Sequence, residues 1–250
     1  MLATSLQPLA IGFFLVLVRC TSLFMVAPIF SVKTIPALVR MGFSVPISVA
    51  VFLGAGSPVF AGWDHMAALI PAVAMEAVIG VSAGLAARFV IEAALGAGNA
   101  IAIAAGVSFG SVIDPLHGAE STAIGDLLSY LTMAVALSTG LHRDAVVWLC
   151  RSVQETPPGS DFSLATIATR VISDGAASIA LSVRLAFPVL AAVTLGHLGL
   201  GLVNRAAPQF NLSNVGYTVA LIAGCGAFYL VAPGAALLAA EAARMTFAGR

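Results

Sequence analysis

The sequence predicts an all-α, polytopic membrane-associated fold of about six apolar helical segments arranged as helical hairpins, with an irregular loop at the centre. Three observations predict it. First, 60% of the 250 residues are hydrophobic and 9% are charged, whereas soluble domains carry roughly 25% charge. Second, apolar runs recur at lengths near the ~20 residues that hydrocarbon thickness demands of a spanning helix. Third, the main interruption, residues 106–115, is rich in helix breakers yet too apolar for an ordinary solvated loop. Irregular backbone of that kind survives at membrane depth only where protein or a water-filled cavity surrounds it.

Charge and cysteine content exclude several classes. The formal net charge is zero, so no nucleic-acid partner and no acidic-surface partner is implied. Cys20, Cys150 and Cys225 are odd in number and each sits in an apolar stretch; they read as small core residues rather than a disulfide or metal set. The first apolar run has no basic residue before it and is too long for a signal-peptide core, so no cleaved signal is expected.

Taken in order, the candidate runs are residues 6–30, 41–53, 66–91, 123–141, 173–203 and 215–242. The second is short and holds Pro46, which predicts a broken or re-entrant element. The fifth exceeds one straight crossing, so a kink at Pro188 is expected. Alternating the six runs across a membrane places five basic residues on one side and four on the other, a bias that sets no orientation. Residues 141–163 are the most polar part, with an amphipathic helix expected over 145–153 and a Pro157-Pro158-Gly159 turn at an aqueous surface. The last third reads as a helical hairpin around Arg205-Ala206-Ala207-Pro208-Gln209-Phe210-Asn211, with Pro208 stopping one helix and Asn211 able to cap the next.

Charges inside apolar runs carry the next signal. Arg19, Glu76 and Arg184 each fall mid-run and would cost about 2.5–3.5 kcal/mol facing lipid. They therefore face protein or water: by pairing within the fold or with a partner subunit, by serving an ion or proton relay, or by snorkelling to an interface. Arg40 and Arg88 are further candidates for contacts between helices or subunits. Glu76, Gly80, Gly84 and Arg88 recur every four residues and form one stripe on a helix, a pattern that reads as a close-packing seam. Gly96 and Gly98 are expected to loosen that helix ahead of the central loop, with Asn99 beside them.

The central loop is the candidate site. Gly106, Gly110, Ser108 and Ser111 make it bendable; Phe109, with Val107 and Val112, supplies apolar bulk able to seal a narrow pore. The plainer alternative is a connecting loop packed against its neighbours. Gly106-x-Ser108-x-Gly110 also fits the G-x-S-x-G nucleophile elbow, but that motif needs a preceding strand, and no strand alternation precedes it. His65, His117, His142 and His197 lack ligand spacing; His197 reads as a packed, hydrogen-bonded histidine. No metal, cofactor or catalytic residue is implied.

These residues resemble the family of the flagellar biosynthetic protein FliR and its injectisome counterpart SctT. Arg19, Pro28, Ile35-Pro36 and Arg40 are similar to its opening pattern, and Glu76, Gly80 and Gly84 to its acidic-plus-glycine helix. Residues 106–115, Gly-Val-Ser-Phe-Gly-Ser-Val-Ile-Asp-Pro, resemble its central loop. His142, Ser152 and Pro157-Pro158-Gly159 resemble the segment that follows, and Arg205 to Asn211, then Gly216, its hairpin signature. The family commonly has a proline soon after that glycine; here Gly216 is followed by Tyr217-Thr218. The resemblance implies a FliP-like helical part over 1–165, containing the plug loop, and a FliQ-like hairpin over 166–250. It further implies a non-enzymatic subunit of the type III export gate in the bacterial inner membrane, in contact with lipid. Its implied partners are FliP-like and FliQ-like subunits, FlhB-like and FlhA-like export proteins, and unfolded proteins in transit. The residue-level alternative is a stand-alone transporter or channel that uses Glu76 and Arg184 as substrate or proton groups.

Overall fold

The computed structural model describes residues 2–28, 36–60, 66–107, 122–160, 163–206 and 213–248. Among them every regular element is helical: α1 Leu2–Val26, α2 Ala37–Gly54, α3 Met66–Ala104, α4 Ala123–Ser138, α5 Leu141–Glu155, α6 Leu164–Ala206 and α7 Ser213–Ala248. Among the described residues, four segments are long and apolar enough to cross a membrane: Gln7–Val26, Leu69–Ala104, Leu164–Ala206 and Leu221–Phe247. A fifth crossing is possible only if α4 and α5, bent by 63° at their junction, act as one span. The six runs read from the sequence are therefore six apolar helices but four or five candidate spans.

Three boundaries differ from the sequence expectation. α2 is one helix of 18 residues that continues through Pro46 rather than breaking there. α3 does not loosen at Gly96 and Gly98 but runs to Ala104. Glycine costs a helix about 1 kcal/mol relative to alanine, and close packing offsets that cost: an added Cβ at Gly98 would lie 2.5 Å from the Cα of Gly125 on α4. α6 begins at Leu164, takes in Arg170 and Asp174, and is continuous through Pro188 for 43 residues, roughly 64 Å at 1.5 Å per residue.

Two compact units divide the chain. One comprises Met1–Phe89, Leu137–Gly175 and Ala242–Arg250; the other comprises Val90–Ala136 and Ala176–Glu241. In the first, α1 lies on α2, with Phe13 and Phe52 edge-to-face at 5.6 Å, and Leu15 forms an apolar cluster with Phe60 and Ala72. α5 is amphipathic at helical spacing: Leu141, Ala145, Trp148, Leu149, Ser152 and Val153 are buried, while His142, Arg143, Val147 and Arg151 are exposed. The end of α7 docks on α5 through Arg244 Nε donating to Asp144 Oδ2 at 2.7 Å and Trp148 against Phe247.

In the second unit α3, α4, α6 and α7 converge on small residues. A Cβ at Gly224 of α7 would come 2.8 Å from Ala105 Cβ and 3.3 Å from Val193 Cγ2. One at Gly96 of α3 would meet Ser182 Oγ of α6 at 3.1 Å. Close helix approach through small residues is the packing expected where lipid removes the hydrophobic drive for association.

Candidate functional site: a buried arginine knot and the roots of the central loop

In the first unit, Arg19 of α1 is fully buried and Glu76 of α3 is 1% exposed. Arg19 Nε donates to Glu76 Oε2 at 2.5 Å and Nη2 to Oε1 at 3.0 Å, a bidentate pair. Nη1 donates to Ser152 Oγ at 2.9 Å and Thr156 Oγ1 at 3.3 Å, and Nη2 also reaches the Thr156 carbonyl at 3.0 Å. The five guanidinium N–H groups thus all have acceptors. Thr156 is tied back by its own hydroxyl, which donates to the Ser152 carbonyl at 2.6 Å.

Glu76 Oε1 accepts one more bond, from the Gly159 N–H at 3.3 Å. Gly159 has φ +79°, a left-handed conformation that glycine adopts without steric cost. The Phe60 ring fills the space a side chain there would need. The Pro157-Pro158-Gly159 turn is therefore shaped to bring one backbone donor to a buried carboxylate. Arg19, Glu76, Ser152, Thr156 and Gly159 draw α1, α3, α5 and the following turn to one point.

The glycine stripe on α3 continues from the same place. A Cβ at Gly80 would overlap Ser22 Oγ and the Arg19 carbonyl oxygen, and one at Gly84 would lie 3.0 Å from the Leu23 carbonyl oxygen and Val26 Cβ. Glycine lets the α3 backbone sit against α1, and that approach fixes the reach from Glu76 to Arg19. The stripe is thus in contact with a helix of the same chain over Glu76, Gly80 and Gly84. Arg88, at its end, is exposed. Arg40, on α2, is half-buried, and neither arginine is free of partners.

The second unit holds the roots of the central loop. α3 ends in a Schellman turn: Gly106 takes φ +74°, its N–H donates to the Ile103 carbonyl at 3.1 Å, and the Val107 N–H reaches back to Ala102 at 2.9 Å. On the far side of the segment the description resumes at Thr122. Asn99 Oδ1 accepts from the Thr122 N–H at 3.0 Å and from its hydroxyl at 2.8 Å. That hydroxyl oxygen in turn accepts from the Gly125 N–H at 3.1 Å, capping α4. Gly98 against Gly125 brings the two helices close enough for Asn99 to make this clasp. The segment between residues 107 and 122 therefore starts and ends on the same stretch of α3.

Other predicted residues fall differently. Val107 is 42% exposed at the root of the loop; Ser108, Phe109, Gly110, Ser111 and Val112 lie outside the described residues, as do Pro208, Gln209 and Asn211 of the hairpin signature. Arg205 is exposed and Gly216 half-buried, 3.7 Å from Leu200 Cδ1 as measured from an added Cβ. Arg184 is exposed on α6 rather than buried. His197 is exposed, not packed, and Cys225 is exposed while Cys20 is buried. An apolar run states that a helix avoids water; it does not state which of its faces a neighbour within the same chain covers. The helix preceding Gly106 rules out the strand-then-turn context of a nucleophile elbow. Among the described residues no group of histidine, cysteine and carboxylate side chains is placed to hold a metal ion. Asn99 and Thr122 are the additions to the site. Asn99 was visible in the sequence only as an amide beside two glycines, and Thr122 only as a hydroxyl one residue before an apolar run.

Comparison with known proteins agrees with this architecture. The chain is 29% identical over 208 residues to the flagellar biosynthetic protein FliR of Bacillus subtilis (strain 168), covering 82% of this chain and 80% of that one. It is 26% identical over 215 residues to flagellar biosynthetic protein FliR of Escherichia coli (strain K12), covering 85% and 80%. The surface presentation of antigens protein SpaR of Salmonella typhimurium (strain LT2) is 31% identical over 154 residues, 61% of this chain and 57% of that one. Residues 10–245 match the family described as bacterial export proteins, family 1, and this multi-pass helical chain, with its buried Arg19–Glu76 pair and apolar spans, belongs to that family.

Proposed function

We propose that the chain is a non-enzymatic subunit of a type III protein export gate of the flagellar kind, in the bacterial inner membrane at the basal body. Its helices contribute to the export channel and its 106–115 segment closes that channel. The observation that carries the reading is the family match across residues 10–245, supported by FliR relatives aligned over four-fifths of their own length. In this reading the 1–165 part is FliP-like and the 166–250 hairpin FliQ-like. The chain sits in a hetero-oligomer with FliP-like and FliQ-like subunits, with FlhB-like and FlhA-like proteins attached. Unfolded proteins pass through the channel.

The geometry supports the closing role through the loop roots. A segment that leaves α3 at a Schellman turn and returns to Asn99 is tethered at one place, so it can be pushed aside by a passing chain and fall back without unfolding α3 or α4. Large exposed apolar side chains on the hairpin, among them Ile172, Ile179, Phe187, Leu195, Tyr229 and Leu230, exceed what scattered surface hydrophobics explain and fit burial against neighbouring subunits or lipid.

A stand-alone transporter using Glu76 and Arg184 has less to recommend it. Glu76 is held in a bidentate pair with Arg19 and a third bond from Gly159, so its carboxylate is taken up by contacts within the fold.

The test is the native mass of the detergent-extracted chain co-expressed with the proteins encoded beside it. A minority subunit in one large hetero-oligomer is expected. A monomer or homodimer in good yield would overturn the reading.

A further inference from the structure

We propose that Arg184 is the docking point for a membrane-spanning helix of a different subunit, which presents an aspartate or glutamate to it. The inference rests on the export-gate reading and names the chemistry of one of its interfaces. Arg184 lies roughly 30 Å along α6 from either end of the helix at 1.5 Å per residue, within a stretch apolar enough to cross a membrane. It is exposed, and among the described residues it has no ion-pair or hydrogen-bond partner. A guanidinium at that depth needs a counter-charge or hydrogen-bond acceptors.

The surface around Arg184 fits a closely packed helix. Ala177 and Ala180 precede it at spacings of three and four residues, and both are exposed, so they form one small-residue track leading to the arginine. Such a track lets a second backbone approach closely, and the arginine at its end sets the register by charge. Leu181 beside it is half-buried, and Phe187, one turn further, is exposed and offers an apolar stop.

The carboxylate must come from another kind of chain. Within the described long apolar helices of this protein the acids are Glu76, Glu92, Asp174 and Glu241. Glu76 is bound by Arg19, and Glu92 and Asp174 already have partners. Glu241 lies seven residues before the end of α7, far from the middle of a span. Asp126 lies in the first turn of α4, likewise close to a helix end, so among the described residues a second copy of this chain offers no free acid at the depth of Arg184.

The experiment is co-expression of the full set of export-gate subunits with Arg184→Lys, Arg184→Leu or Arg184→Asp. The yields of hetero-oligomer and of membrane-inserted chain are both measured. Arg184→Lys is expected to assemble within about threefold of wild type, and Arg184→Leu and Arg184→Asp about tenfold or more below it at unchanged insertion, because one member of a buried pair is lost. Reversal of a single intramembrane acid in a partner subunit to arginine is expected to restore assembly of Arg184→Asp.

Should the variants fail to insert, a photo-crosslinking residue at Ala180 in the otherwise wild-type complex decides the matter. Capture of a peptide from a different subunit, with an acid within one helical turn, supports the docking. Capture of lipid alone, or of another copy of this chain, overturns it. Assembly of Arg184→Leu at the wild-type level also overturns it while leaving the export-gate reading intact. A wild-type chain that runs alone removes both.

Discussion

Arg19 and Arg184 are the same residue in the same kind of apolar helix, and the fold treats them oppositely. Arg19 is fully buried, and its guanidinium donates to Glu76, Ser152 and Thr156 from the same chain. Arg184 is exposed. The first arginine marks a place where this chain is complete by itself; the second marks a face whose counter-charge lies elsewhere. A protein that finishes one charged site and leaves another open is organised as a component rather than as a free-standing transporter, in which both charges would be expected to serve one pathway.

The sharpest way to break the contrast is to remove one member of the Arg19 knot. Arg19→Ala or Glu76→Ala leaves a buried charge unpaired and should destabilise the chain by about 3–5 kcal/mol, read as loss of folded, extractable protein or a large drop in Tm. Joint replacement, Arg19→Met with Glu76→Leu, should recover most of that loss, because no unpaired charge remains. A single alanine variant as stable as wild type would show that the knot does not hold the unit together.

The next largest effect should come from the seam that sets the distance between the pair. Gly80→Leu forces a side chain into the α1 backbone at Arg19 and is expected to cost about 1–3 kcal/mol, the usual range for overpacking. Gly84→Ala should cost less, since its nearest neighbours stand at 3.0 Å. Equal Tm values for the two variants would contradict the packing described here.

A smaller effect is expected at the loop root. Asn99→Ala removes the acceptor of two hydrogen bonds from Thr122 and should cost about 1–2 kcal/mol locally. Hydrogen exchange at the start of α4 should rise while the ends of α1 and α5 stay protected. Uniform loss of protection would mean that Asn99 supports the whole fold rather than the loop. The smallest effect belongs to Arg184→Leu in the chain extracted alone, within about 0.5 kcal/mol of wild type as expected for a surface position. The same substitution should be costly only in the assembly.

Much of the helical plan was legible because apolar runs and turn residues report local physics. Arg19, Glu76, Gly80, Gly84 and Pro157-Pro158-Gly159 each stood out, since charge, glycine and proline are conspicuous in an apolar sequence. Their convergence was not legible: nothing in the spacing states that the Gly159 N–H reaches Glu76, or that Thr156 supplies two acceptors. The helices are longer than the apolar runs suggest where a single residue resembles a breaker. Gly96 and Gly98 lie inside a continuous helix because packing against neighbours outweighs propensity, as Gly98 against Gly125 shows; Pro46 also lies inside one, on an exposed face. Arg170 similarly disguises the first turns of α6 as loop. His197 and Cys225 read as core residues because hydropathy distinguishes water from non-water, not the inside of one chain from a face that lipid or another subunit covers.

The measurement that bears most directly on the central claim is ionic permeability of membranes carrying the assembled gate with residues 107–111 deleted. The complex is expected to assemble at its normal mass and to leak small ions well above the wild-type level, because Asn99 and Thr122 still close the base of the loop while its apolar bulk is gone. An assembled complex that stays as tight as wild type would contradict a channel-closing role for this segment.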